Sequence, residues 1–250
     1  MCGNDKRIQD PTVHGRQFGQ NSIGAPWTSR RPHGIYFVGA SAMSIKPSPF
    51  WSCGSPDRDL LRQNSPVVAP ILLGMMICNA RLGLVITGVE AYGGEDDEAS
   101  HAHRGPSVRN ASMFKDGGTL YVYLSYGIHK CVNVVTGAVF SGQAVLVRSG
   151  VLVSFGGQPD KFGEAFGDLQ PVCGPGRVGR SLGAELSDDG SDLLCDGRWK
   201  LIDTREAVGI DGVPFLASAR VGISRARDLP WAFQVDRSKI EANIYRLEHG

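Results

Sequence analysis

Apolar and polar positions alternate most sharply between Thr119 and Ser125. Tyr121, Tyr123 and Ser125 fall on one face there, and Val122, Leu124 and Tyr126 on the other, the two-residue period of a β-strand. Tyr126-Gly127 and then HKCVNVV follow, so the pattern predicts a hairpin with a tyrosine exposed near its tip. Upstream, LGLVITGVEAY is rich in β-branched residues and bounded by Asn79 and Gly93-Gly94. It predicts a strand in which Glu90 and Tyr92, two residues apart, project from the same face. Downstream, QAVLVR predicts a strand ending at Arg148, and ARVGIS a late strand.

Helical signals are fewer. Ser65-Pro66 ahead of Val67 reads as an N-cap with proline in the first turn, and Gly74 as the closing residue, although Pro70 removes a backbone hydrogen bond and predicts a kinked or shortened helix. PVCGPGRVGRSLGAE predicts a short helix starting on Pro175 and capped by Gly183, with Gly176 and Gly179 weakening it. Between Gly93 and Asn110 lies a long turn-rich connection with only its own polar groups, or a ligand, to hold it. No internal repeat is visible.

These elements occupy residues 57–250 and predict one mixed α+β domain. The 33 glycines and 14 prolines favour many turns over long helices. Residues 1–56 lack a sustained helical or strand period and are rich in Gly, Ser, Asn and Pro, the composition of a disordered or irregular extension. The formal charge of +1 divides unevenly. Six Lys/Arg against two Asp give residues 1–56 +4 and leave −3 for the rest. The six cysteines form no CxxC pair, which argues against a zinc knuckle or a secreted disulfide framework and for a reducing compartment. The N-terminus lacks the charged-then-apolar pattern of a secretory signal, and the longest apolar run, Val67–Cys78, is too short to cross a bilayer. The expected setting is cytoplasmic (bacterial cytosol or nucleoid), or nuclear in a eukaryote, with no membrane partner.

Glu90 to His103, EAYGGEDDEASHAH, concentrates the candidate chemistry, with five carboxylates and two histidines in fourteen residues. A metal-dependent hydrolase would draw on His101 and His103 with Glu95, Asp96, Asp97 or Glu98. No third well-spaced His or Cys follows, however, and contiguous acidic runs are usually solvated faces or turn residues. A serine triad has no GxSxG to rest on. The remaining reading is one working carboxylate, Glu90, with no metal and no cofactor.

EAYGGEDDEASH, RNASMF, GTLYVYLSYGIHKCVNVV, AVLVR, CGPGRVGRSLG and RVGIS occur in this order. Together they resemble the alkyladenine (3-methyladenine) DNA glycosylase family, over roughly residues 57–235. The resemblance implies a curved antiparallel sheet with short flanking helices and a protruding hairpin that inserts into DNA. It implies a monomeric, monofunctional enzyme of base excision repair, whose partner is double-stranded DNA containing alkylated or deaminated purines. Glu90 would be the general base activating water, helped by Arg148 and the backbone carbonyl of Val221. Tyr92, His101 and Tyr123 would line the pocket of the flipped base, Asn133 would exclude normal purines, and Tyr126 would enter the minor groove. Arg104, Arg109, Lys130, Arg177, Arg180 and Arg225 are candidates for the phosphate backbone. The family often carries an arginine-rich helix before the GPG segment, whereas here GVLVSFGGQPDKFGEAFGDLQ offers only Lys161. A lesion-binding protein of the same fold with little turnover is the alternative from another class.

Elementary chemistry agrees with these roles. An enzyme acting on a base must extrude it from the stack, and a wedge residue offsets the lost stacking. Cationic alkylpurines are attracted by aromatic faces and leave without needing a proton, so a single carboxylate can suffice.

Overall fold

The computed structural model describes residues 36–37, 53–155 and 169–249. The extension over residues 1–56 therefore lies outside the described residues except at 36–37 and 53–56, and so does most of the interval around Lys161.

Two long antiparallel strands organise the molecule: β3 (Leu82–Tyr92) and β6 (Gln143–Ser154), paired along nearly their whole length. The free edge of β3 is shared, its first half pairing β2 (Met76–Cys78) and its second half β10 (Ala232–Gln234). The free edge of β6 divides in the same way, between β5 (His129–Thr136) and β7 (Gln170–Cys173). β4 (Leu120–Ser125) completes the predicted hairpin with β5. β8 (Lys200–Ile202) extends the β2 side, while β9 (Leu216–Ser218) and β1 (Tyr36–Phe37) extend the β10 side. Among the described residues the result is one curled antiparallel sheet of ten strands with four short helices, the first being α1 (Arg58–Leu61), the expected α+β architecture.

Alternation fixes what each face of the sheet meets. Val89, Ala91, Val122, Val132, Val134, Val145 and Val147 point into the main core. It also takes in residues of α2 (Ser65–Ile71), α3 (Pro175–Leu182) and α4 (Arg237–His249), the last through Ile240 and Ile244. The opposite face carries Glu90, Tyr92, Tyr121, Tyr123, Cys131, Asn133, Ala144 and Leu146. Register aligns Tyr121, Asn133, Leu146, Glu90 and Ala232 in one row across five strands. A second, smaller cluster covers part of this face, with Ala102, Met113 and Phe114 packed on Tyr121, Val135 and Ala144.

Four expectations change. Asn64, not Ser65, is the N-cap of α2; the helix stops at Ile71, one residue after Pro70, which is the shortening that Pro70 predicted. Gly74 (φ +81°) does not close that helix, because its N–H donates to the Ile86 carbonyl at 2.8 Å. β6 does not end at Arg148 but runs on to Ser154, because Gly150 lets β3 approach: a Cβ there would lie 2.5 Å from Leu84 Cγ. ARVGIS forms no strand, since β9 ends at Ser218 and the chain then leaves the ladder to bury the Arg220 side chain.

α3 runs from Pro175 to its left-handed cap at Gly183 (φ +66°) as expected. Gly179 has a packing reason, since a Cβ there would lie 1.9 Å from the Lys130 carbonyl oxygen of the hairpin. The helix thus braces β5 at backbone distance. The hairpin turn has positive φ at both Tyr126 (+50°) and Gly127 (+73°), closed by Ile128 N–H donating to the Ser125 carbonyl at 3.1 Å. Both side chains flanking Gly127 are exposed, Tyr126 at 89% and Ile128 at 72%.

Candidate active site

Glu90 sits near the end of β3 with no solvent exposure, and every donor around it has an evident origin. Tyr92, on the same face, donates its hydroxyl to Oε2 at 3.0 Å. Arg148 reaches Oε1 at 3.0 Å from β6. Its placement follows from an irregularity in the ladder. Gly88 opposes Ser149 and Val89 opposes Val147, so Arg148 has no partner in the register; bulges of this kind re-aim a side chain. The third donor is the backbone N–H of Val221, 2.7 Å from Oε1. The Val221 carbonyl accepts from Arg148 Nη1 at 3.4 Å. Three segments far apart in sequence therefore converge on one carboxylate.

Burial, and after it the Glu90 charge, push the Tyr92 phenol far above its ordinary pKa, so it remains a donor at neutral pH. Oε1 already accepts two bonds and Oε2 one, which leaves lone-pair capacity on Oε2.

Beside this carboxylate lies a cavity of about 460 Å³, within the usual range for small-molecule pockets. Tyr92, Arg148 and Val221 line it, as do His101, Tyr121, Tyr123, Cys131, Asn133 and Tyr126. Glu90 itself does not, because its three donors stand between it and the open space. Tyr121 and Tyr123 stack with ring centroids 5.5 Å apart, and His101 meets Tyr123 edge-on at 4.5 Å. His101 Nδ1 is 3.1 Å from the Tyr121 hydroxyl. His101 keeps an edge open to solvent, but desolvation of its inner side against these rings, with the Arg109 charge adding to it, lowers its pKa and favours the neutral imidazole at pH 7. Asn133 is buried, its Nδ2 donating to the Tyr121 and Cys131 carbonyls at 3.0 and 3.4 Å. With both N–H groups engaged by backbone, the amide orientation is set.

The connection after β3 is held by its own polar groups. Asn110 donates to the carbonyls of His101 and Gly105 and accepts from Ser107, closing the loop that carries His101. The acidic run does not converge. Asp97 pairs with Arg220, Glu98 reaches Arg225 at 3.4 Å, and His103 Nδ1 lies 2.7 Å from the Glu95 carbonyl. Among the described residues no group of three or more His, Cys, Asp or Glu is arranged to hold a metal ion, so the arrangement required for the metal-hydrolase alternative is not formed by this loop.

The basic candidates separate. Arg177 and Arg180 project from α3 into solvent, and no ion pair joins either to a described residue. α3 begins at the cavity, where Pro175 lines the wall and Gly174 N–H donates to the Arg148 carbonyl at 2.8 Å. Arg104 is exposed, and Arg109 lines the cavity while donating to the Leu124 carbonyl at 2.9 Å. Lys130 is committed to a salt bridge with Glu185, which weakens its candidacy as a phosphate ligand.

Two site residues were not found by sequence reasoning. Arg220 and Asp97 form an ion pair with both side chains fully buried, and Arg220 lies over the rings of Tyr92 (4.8 Å) and Trp231 (5.2 Å). Burial alone would raise the Asp97 pKa, but hydrogen bonds from Arg220 and from Gly93 N–H hold it below the usual carboxylate range. The only signal was position: Arg220 stands immediately before Val221, and Asp97 inside the acidic run.

Comparison with known proteins gives the family. The family model for methylpurine-DNA glycosylase (MPG) matches residues 59–239. Three bacterial proteins, each named “putative 3-methyladenine DNA glycosylase”, are similar to this chain. The one from Cutibacterium acnes is 38% identical over 170 residues, covering 67% of this chain and 89% of its own. The one from Frankia casuarinae is 42% identical over 177 residues (66% and 82%). The one from Corynebacterium glutamicum is 40% identical over 166 residues (65% and 84%).

Proposed function

Because the chain belongs to the methylpurine-DNA glycosylase family, a family of hydrolases acting on N-glycosyl bonds in DNA, we propose that it extrudes alkylated or deaminated purines from duplex DNA and releases them with a water activated by Glu90. The observation that carries this reading is the convergence of Glu90, Arg148 and Val221 at the wall of an aromatic cavity.

In this reading the extruded purine lies with one face on Tyr92 and the other on the wall formed by His101 and Tyr123, whose ring centroids are 4.5 Å apart, and a cationic ring gains attraction to the aromatic faces beyond stacking. Asn133, immobilised by its two backbone bonds, occupies the space that the 2-amino group of guanine needs. Tyr126 enters the duplex in place of the lost base. Water reaches Glu90 when the Arg148 guanidinium, the flexible and partly exposed side chain among the three donors, swings aside. The water oxygen bonds to C1′ of the deoxyribose, its proton passes to Oε2 of Glu90, and the electrons of the C1′–N bond leave with the purine. The Val221 carbonyl accepts the other hydrogen of the water and orients it. Among the described residues no lysine lines the cavity to form a Schiff base, so the product is an intact abasic strand. The N-terminus of α3, with Arg177 and Arg180, faces the phosphates.

The test is incubation with duplexes carrying a single 3-methyladenine, 7-methylguanine, hypoxanthine or ethenoadenine. Free base should be released from at least one, and the strand should break only after alkali. Tight binding to every lesion with no base release would establish the lesion-binding alternative instead. Strand scission without alkali would contradict the monofunctional mechanism.

A further inference from the structure

We infer that Arg220, held by Asp97, is a positioning residue for the Glu90 carboxylate; this rests on the reading of Glu90 as the base. Two of the three donors to Glu90 trace back to this one guanidinium. Val221, whose N–H bonds Oε1 at 2.7 Å, is the next residue in the chain. Tyr92, whose hydroxyl bonds Oε2 at 3.0 Å, has its ring 4.8 Å from the guanidinium carbon. The guanidinium itself has little freedom. It is paired with Asp97, lies over Trp231 at 5.2 Å, and donates to the Ala91 carbonyl at 2.9 Å. Ala91 is the residue between Glu90 and Tyr92, so the bond ties the 219–226 segment directly to the strand that carries the base.

Asp97 completes the device from the other side. Its Oδ2 accepts from Gly93 N–H at 3.0 Å and its Oδ1 from Ala99 N–H at 3.1 Å, so the loop that delivers His101 is anchored on the same ion pair. Stability alone does not require this arrangement. Two opposite charges with no exposed side-chain surface contribute little over well-packed neutral groups, whereas removing one partner is costly. A planar, forked cation stacked between rings supplies orientation that a neutral side chain or a lysine cannot. Arg148, 27% exposed, is the donor that the proposed mechanism moves, and Arg220 is the frame that stays in place.

The expected signature is a loss of rate without a loss of affinity for an abasic-analogue duplex, because that duplex places no base in the cavity and is held through the hairpin tip, which other residues build. Two variants read it: Arg220→Lys, which keeps the charge and loses the fork, and the neutral double variant Asp97→Asn with Arg220→Gln, which leaves no buried charge unpaired if the lysine protein fails to fold. For each, the rate of 3-methyladenine release is measured with enzyme in excess, alongside affinity for a duplex containing a stable abasic analogue. Both folded variants should release base at least about tenfold more slowly, the rate equivalent of ~1.4 kcal/mol. Affinity should stay within about threefold of wild type. Release at the wild-type rate by either folded variant, or a fall in affinity as large as the fall in rate, overturns the inference. Wild type and Glu90→Gln run in parallel keep the two readings distinct. If wild type releases base and Glu90→Gln does not, the base assignment stands, and the Arg220 variants test positioning alone.

Discussion

Replacing Tyr126 by asparagine separates what this residue does for the fold from what it does for DNA. Tyr126 occupies a left-handed backbone conformation (φ +50°) at the hairpin tip with its side chain 89% exposed. That conformation costs an ordinary L-residue roughly 1–2 kcal/mol, and asparagine, whose short polar side chain bonds locally, bears less of it. The ring gives up almost no packing in the free protein, so the strain relief should appear as a net gain of about 1 kcal/mol. For a domain of this size such a gain raises the melting temperature by about 2–4 °C. Bound to DNA, the same substitution removes the wedge. Aromatic stacking against bases contributes ~1–3 kcal/mol, so affinity for an abasic-analogue duplex should fall about 5- to 150-fold at fixed salt. Thermal melts followed by circular dichroism and fluorescence anisotropy with labelled duplex read the two effects. A variant that melts below wild type shows that the turn is not strained, and one that binds the duplex as tightly as wild type removes Tyr126 from the wedge role.

Arg177→Ala with Arg180→Ala should flatten the dependence of log affinity on log salt by about 2, near 0.9 for each phosphate that is no longer neutralised; an unchanged slope would exclude α3 from the phosphate track. His101 should make folding stability fall on the acid side. Its pKa is lowered by partial desolvation at the cavity wall and by Arg109, so the unfolded chain takes up the proton first. The contribution is fully present above the unfolded value of about 6.5 and is lost as pH falls through that value toward the lower folded one. Urea unfolding of wild type and His101→Gln across this range should give converging curves at low pH, and parallel curves would mean that the imidazole is not held neutral.

Much of this site could be read from local pattern, because the side chains of a strand are sorted by a period of two. The alternation at Tyr121, Tyr123 and Ser125 and the spacing of Glu90 and Tyr92 placed these residues on walls that the register then brought together. Arg148 was legible as a strand residue, but its approach to Glu90 depends on an irregular register that no single strand announces. Ser149-Gly150 reads locally as a turn, yet the glycine is there so that Leu84 can pack against the β6 backbone. Arg220 was hidden for a deeper reason. Its partner is 123 residues away, and an arginine inside an apolar segment shows neither that it is buried nor what neutralises it. The acidic run misled in the same way. Asp97 turns inward to Arg220, while Glu98 faces solvent beside Arg225, a distinction made by tertiary packing and not by composition.

The central claim is that one enclosed carboxylate activates water against the sugar of an extruded purine. Its most direct test is Glu90→Gln, which keeps the shape of the side chain and removes its ability to take a proton. Base release from 3-methyladenine duplex should fall by at least about 10²-fold, the lower range for a positioned general base. Affinity for the abasic-analogue duplex should persist, since Tyr123, Asn133 and Tyr126 are untouched. Release at the wild-type rate by a folded Glu90→Gln protein would contradict the account.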